Sequence, residues 1–146
     1  ISRSQELIVL IMKKIMIIED DKNLQEVYKK NFEAADYEVI IEGDGLSGIS
    51  SVVEKMPDVI LLDIMMPNMD GFGFLKAIKD NTSINIPVVM CSNLTDQETN
   101  AKALASGATA ILVKTDYSGR ELVQKIDALL MGKESKHKNK PEDTLV

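Results

Sequence analysis

Four apolar stretches of this chain each run into a residue that can hold charge or share a proton. Ile15-Met16-Ile17-Ile18 runs into Glu19, Asp20 and Asp21, and Val59-Ile60-Leu61-Leu62 runs into Asp63. Val88-Val89-Met90-Cys91 runs into Ser92, and Ala110-Ile111-Leu112-Val113 runs into Lys114. Short bounded apolar runs read as strands buried on both faces of a parallel sheet. In open α/β sheets chemistry collects in the crevice outside the carboxyl ends of the strands. The acids, the hydroxyl and the ammonium therefore converge there.

Three carboxylates in one crevice repel one another and raise each other's proton affinity, so a cation must offset them. Hard oxygen ligands of this sort suit Mg2+, which takes one or two carboxylates, keeps several waters and completes its shell with phosphate. Lys114 adds a compact cation on a flexible stem, suited to a phosphoryl oxygen. The Ser92 hydroxyl and the N–H of Asn93 are further donors to such an oxygen. Phosphoryl transfer needs alignment and charge neutralisation more than covalent help. The set is matched to that task, with Asp63 as the nucleophile that forms an aspartyl phosphate.

The elements that position these residues follow from the spacing. Lys14 to Ile18 reads as the first strand, and Lys22 to about Ala35 as a helix with its stripe at Leu24, Val27, Tyr28, Phe32 and Ala35. Asn31 falls on that stripe as its weak point. Tyr37 to Ile41 is a second strand, and a helix from the Gly43-Asp44-Gly45 turn ends near Met56, before Pro57. After the Asp63 strand, Phe72 to Asp80 is a helix with Phe74, Leu75 and Ile78 inward. Pro87 opens the strand through Cys91, where proline costs no ladder bond.

Thr95 to Ser106 reads as a helix ended by a left-handed Gly107, with a thin stripe of Ala101, Leu104 and Ala105 that predicts loose packing. Ala110 to Val113 is the fifth strand. Ser118 and Glu121 form a capping box ahead of Leu122, Ile126, Leu129 and Leu130. Strands alternating with helices imply a parallel α/β sheet covered on both sides. Residues 1–12 read as leader or linker before Met12-Lys13-Lys14, residues 13–131 as one domain, and 132–146 as a polar, mobile tail.

Composition narrows the function. A net charge of -6 argues against direct nucleic-acid binding, which carries a basic footprint. The lone Cys91 cannot staple the fold, so a reducing cytoplasm is the expected compartment and a small core residue the expected role. No apolar run approaches the ~20 residues that span a bilayer. Read singly, Glu19, Asp20 and Asp21 would be acids favoured at a helix start, Asp63 a loop cap and Lys114 a surface charge. Their shared placement at strand ends favours the joint reading. His137 reads as a solvated tail residue.

The acidic pair after strand one, the stretch Leu61-Leu62-Asp63-Ile64-Met65-Met66-Pro67-Asn68-Met69-Asp70-Gly71, the hydroxyl ending strand four and the lysine ending strand five together resemble the receiver domain of two-component response regulators. The resemblance covers about Lys13 to Leu130. It implies a flavodoxin-like, doubly wound five-stranded parallel sheet of order 2-1-3-4-5 with five helices. It implies Asp63 as phosphoacceptor, Asp20 as direct Mg2+ ligand, Glu19 acting on the metal through water, and Met65 offering its backbone carbonyl. Ser92 would be the switch hydroxyl and Lys114 the phosphoryl contact. The partners implied are a histidine kinase or phosphotransfer protein and a downstream protein contact, with output through the face of the fourth helix, fifth strand and fifth helix.

Two positions depart from the family pattern. Ile111 stands where an aromatic switch residue is common, so an aliphatic rotamer change would have to serve. Thr115 stands where a cis proline usually follows the lysine. A cis bond before a non-proline residue costs roughly 2.5–4 kcal/mol. The Lys114–Thr115 bond is then either trans with a shifted loop or cis, and the reading leans to cis because Lys114 must point into the site.

Met65 and Leu94 flank the expected phosphoryl position, and neither can orient an attacking water, which predicts slow self-dephosphorylation. The alternative function is a Mg2+-dependent aspartyl-phosphate hydrolase. That chemistry uses a second aspartate two residues after the nucleophile, where this chain has Met65. A stand-alone signalling switch is favoured over the receiver part of a longer regulator.

Overall fold

The computed structural model describes residues 1–66, 68–93, 96–132 and 144–145, and of residues 9, 10, 144 and 145 only the backbone. Pro67, Leu94, Thr95, His137 and most of the expected tail therefore lie outside the described residues. The chain begins with a helix, α1 (Arg3–Ile11), formed by the segment read as leader. There follow β1 (Lys14–Ile18), α2 (Lys22–Ala34), β2 (Glu38–Glu42), α3 (Gly45–Lys55) and β3 (Val59–Asp63). Next come α4 (Gly71–Asp80), β4 (Val88–Ser92), α5 (Gln97–Ala105), β5 (Ala110–Val113), a 3-10 turn over Lys114–Asp116, and α6 (Gly119–Met131). A two-residue strand, β6 (Thr144–Leu145), closes the described chain.

The five strands expected from the sequence lie parallel in the order β2-β1-β3-β4-β5, the flavodoxin-like order, and β6 adds an antiparallel strand outside β5. Side chains alternate between two apolar layers. Met16, Ile18, Ile60, Leu62, Met90 and Ile111 face α3, α4 and α5, while Ile15, Ile17, Leu61, Val89, Cys91 and Leu112 face α2 and α6. Burial on both faces is why these strands read as unbroken apolar runs. Cys91 is a buried free thiol, as expected.

Each of α2 to α5 starts on an aspartate. Asp21, Asp44, Asp70 and Asp96 accept from the N–H groups of Asn23 and Leu24, Ser47, Gly73 and Thr99 respectively. Such a cap satisfies donors that the first helical turn leaves unpaired and is worth about 1 kcal/mol. In α6 the expected capping box is complete, with Ser118 and Glu121 each accepting from the other's N–H.

Two helix faces differ from their sequence reading. The buried residues of α2 are Gln25, Tyr28 and Phe32, while Val27 stands outward, 45% exposed. Gln25 can be buried because its Nε2 donates to the Glu19 carbonyl oxygen at 2.5 Å, which removes the cost of hiding an amide. In α5 the buried residue is Ala103, with Ala101 and Ala105 outward. Met56 closes α3 in the left-handed conformation at φ 45°, just before Pro57. Gly107 has φ 97°, the left-handed turn expected after α5.

Candidate functional site

The strand ends meet as the alternation of elements requires. Asp63 is the last residue of β3 and Ser92 the last of β4, and both are buried. In register, Asp63 lies beside Cys91, and Ser92 lies beside Val113, the residue before Lys114. Ser92 therefore ends the strand that lies between the strand of Asp63 and the strand that leads into Lys114.

Lys114 is the charge centre. Its Nζ donates to Glu19 Oε1 at 2.7 Å and lies 3.1 Å from Asp63 Oδ2. The bond from Lys114 to Thr115 is trans, since no cis peptide bond occurs among the described residues. This corrects the leaning to cis. The 3-10 turn over Lys114–Asp116 lets a trans backbone deliver the ammonium to the acids, so nothing offsets the cost of a cis bond before threonine.

The three acids after β1 divide their roles. Glu19 is 2% exposed and faces Lys114, Asp20 is exposed, and Asp21 caps α2 while its N–H donates to Glu19 Oε2 at 3.2 Å. Burial pushes the Glu19 carboxyl up to about 7, against the hydrogen bond from Lys114, and the charge of Asp63 adds to the rise. Burial disfavours the Lys114 ammonium, but its hydrogen bond to Glu19 and the charge of Asp63 hold its pKa above the ordinary value.

Glu19, Asp20 and Asp63 each offer one carboxylate oxygen, and these atoms lie within 4.8 Å of one another. The donor set fits a hard divalent cation: oxygen atoms only, with one ligand on the open side. Met65 stands at the mouth, 74% exposed, with its N–H donating to Asp63 Oδ1 at 3.2 Å. Ile111 is fully buried in the α3–α5 layer, in the cluster that includes Ala103 of α5.

Two supporting residues escaped the sequence reading. Gln25 braces the Glu19 main chain, and a buried glutamine carries no periodic signal. Gly71 packs on the backbone beside the site: a Cβ there would lie 2.7 Å from Ile64 Cα and 2.8 Å from the Asp63 carbonyl oxygen. Its place after Asp70 marked a turn and a helix start, but the close approach depends on how the turn folds back.

The family model described as the response regulator receiver domain matches residues 15–127. The chain is 33% identical over 120 residues to the DNA-binding dual master transcriptional regulator RpaA of Synechocystis, covering 82% of this chain and 49% of that protein. It is 33% identical over 119 residues to response regulator ArlR of Staphylococcus saprophyticus, covering 82% and 53%. The chain thus spans about half the length of the curated relatives it matches.

Among solved structures, the receiver domain of Francisella response regulator 1452 superposes with TM-score 0.75 at 30% identity, covering 84% of this chain and 99% of that one. The chemotaxis response regulator CheY4 of Vibrio cholerae gives 0.75 at 28% identity, covering 81% and 98%.

Proposed function

The chain belongs to the response regulator receiver domain family, and from that premise we propose that it is a phosphoacceptor switch in which Asp63 takes a phosphoryl group from a histidine kinase or phosphotransfer protein. The observation that carries this reading is the shared contact of Lys114 with Glu19 and Asp63 at 2.7 and 3.1 Å. An ammonium placed there neutralises the nucleophile's surroundings without displacing it.

In the reaction an Asp63 carboxylate oxygen attacks phosphorus and forms the new O–P bond, while the donor's N–P bond breaks and its electron pair returns to the imidazole. Met65 N–H holds Oδ1 of Asp63, which leaves the Oδ2 side toward Lys114. Lys114 and the Ser92 hydroxyl stand ready for the phosphoryl oxygens. Mg2+, when bound, supplies further charge neutralisation, with Asp20 and Asp63 as ligands, Glu19 acting through water and the Met65 carbonyl as a further donor. Ser92 and Ile111 are the positions from which the new charge would be felt elsewhere, and the output is altered binding of a downstream protein. The DNA-binding activity in the name of the Synechocystis relative belongs to a protein of about twice this span. Among the described residues no helix is long and apolar enough to cross a membrane.

The test is incubation with Mg2+ and acetyl phosphate followed by intact mass analysis. A phosphoryl addition to the wild type and none to Asp63→Asn is the expected result. The same addition on both proteins would overturn the assignment.

A further inference from the structure

The main chain of Glu19 is held from two sides. Its N–H donates to the Glu42 carbonyl oxygen at 3.0 Å, continuing the ladder in which Ile18 lies beside Glu42. Its carbonyl oxygen accepts from Gln25 Nε2 at 2.5 Å. The carboxylate oxygens are engaged as well, Oε1 by Lys114 Nζ and Oε2 by the Asp21 N–H. The sheet supplies the bond to Glu42 whatever side chains are present. The bond from Gln25 exists only because of that one side chain.

Asp20 comes next and is exposed, so packing does little to place its carboxylate. A trans peptide is planar, and the Glu19 C=O and the Asp20 N–H therefore turn as one unit. Holding the carbonyl against α2 fixes the plane from which Asp20 leaves. Gln25 is a firm holder. It is 8% exposed on the buried face of α2 beside Tyr28 and Phe32, and its own N–H donates to the Asp21 carbonyl oxygen at 2.9 Å. Its amide also rests against the turn after β2, where a Cβ on Gly43 would lie 4.0 Å from Nε2. An amide is a neutral donor, whereas a lysine or arginine here would set a second positive charge beside the acids and oppose a divalent cation.

We infer that Gln25 is a positioning residue for the divalent cation, which rests on the reading of Glu19, Asp20 and Asp63 as the Mg2+ site. Gln25 touches neither the ion nor the phosphoryl group. It acts through the Glu19–Asp20 peptide, whose orientation brings an Asp20 oxygen within 4.8 Å of oxygens of Glu19 and Asp63. Groups behind the ligands of a metal site typically change its affinity by about 10–100-fold when removed. The effect here falls on how much Mg2+ is needed, since Gln25 makes no contact with the reacting atoms.

The test is a Mg2+ titration of the full chain with no phosphodonor, followed by the NMR shifts of the Asp20 and Asp63 amides. Wild type is compared with Gln25→Met, which keeps the approximate length but has no donor, and with Gln25→Asn, whose amide is one methylene short. Each variant is expected to raise the Mg2+ dissociation constant by about tenfold. The Mg2+ concentration for half-maximal labelling by acetyl phosphate should rise by the same factor, with the rate at saturating Mg2+ near that of wild type. Tyr37→Phe is the control for lost stability. It removes a hydroxyl that donates to Asp127 just before β2, at the opposite end of the sheet, and should leave the Mg2+ dissociation constant unchanged.

Urea midpoints establish that each protein is folded, and Gln25→Asn serves alone should Gln25→Met not fold. A folded Gln25 variant that binds Mg2+ as wild type does overturns the inference, and so does Tyr37→Phe weakened as much as the Gln25 variants. Wild-type amides at Asp20 and Asp63 that ignore Mg2+ overturn it together with the reading of the metal site. Failure of the phosphoacceptor assignment has a separate signature, a wild type that takes up Mg2+ at these amides but gains no phosphoryl group.

Discussion

Lys114 and Glu19 meet at 2.7 Å although 95 residues of chain separate them, and their side chains are 9% and 3% exposed. A buried pair of this kind adds little net stability over an apolar pair, but removing one partner strands the other. Lys114→Met is expected to lower unfolding free energy by about 3–5 kcal/mol at neutral pH, the usual effect of breaking a buried ion pair. Urea denaturation measures it, and the loss should shrink in mild acid, where Glu19 can take a proton.

Glu19 also sets a pH dependence. Its carboxyl, normally near 4.5, is pushed to about 7 by burial against the pull of Lys114. The folded state then holds this proton more tightly than the unfolded chain, so the stability it contributes is complete below about 4.5 and is lost as pH rises through about 7. A cation in the acid pocket competes with that proton. The rise in thermal midpoint on adding Mg2+ should therefore be larger at about pH 8 than at about pH 5. A rise independent of pH would place the cation elsewhere.

Gly71→Ala puts a methyl group 2.7 Å from Ile64 Cα and 2.8 Å from the Asp63 carbonyl oxygen. Backbone must move to admit it, at a cost of about 1–3 kcal/mol. The movement falls on the residue that carries the nucleophile. Acetyl phosphate labelling of the folded variant should be slower than wild type, and an unchanged rate would show that the turn yields without disturbing Asp63.

Met65, open to solvent at the mouth, cannot orient a water for attack on an aspartyl phosphate. Decay of phosphorylated protein should be slow, and Met65→Asn should speed it by about tenfold, a barrier change of ~1.4 kcal/mol. Phosphate release followed over time decides this. Equal decay of the two proteins would assign control of hydrolysis to other residues.

The residues that were legible in the sequence are those whose local pattern matches their environment. β1 and β5 occupy Lys14–Ile18 and Ala110–Val113, the spans their apolar runs mark. Ser118 and Glu121 form the box that their spacing implies. The convergence of Glu19, Asp63 and Lys114 follows from topology once the strands are parallel.

What escaped depends on long-range packing. Gln25 is buried because a distant main-chain carbonyl accepts its amide, so Val27 turns outward and the periodicity of α2 misleads. The three acids after β1 look equivalent in sequence and separate only when one caps α2 and another meets Lys114. The Lys114–Thr115 bond is trans because the turn after β5 can deliver the ammonium without an isomerised bond. A two-residue strand such as β6 is too short to show any period.

The aspartates that start α2, α3, α4 and α5 all lie at strand-to-helix corners, the same rim that holds Glu19, Asp20 and Asp63. Those carboxylates produce a field that acts before any contact is made. An anionic donor such as acetyl phosphate approaches uphill, whereas a protein with a basic face is drawn in. Dissolved salt shortens that field to about 10 Å at 0.1 M. Raising ionic strength should then quicken labelling by the small donor and slow transfer from a basic protein, opposite kinetic salt effects arising from one ring of helix starts.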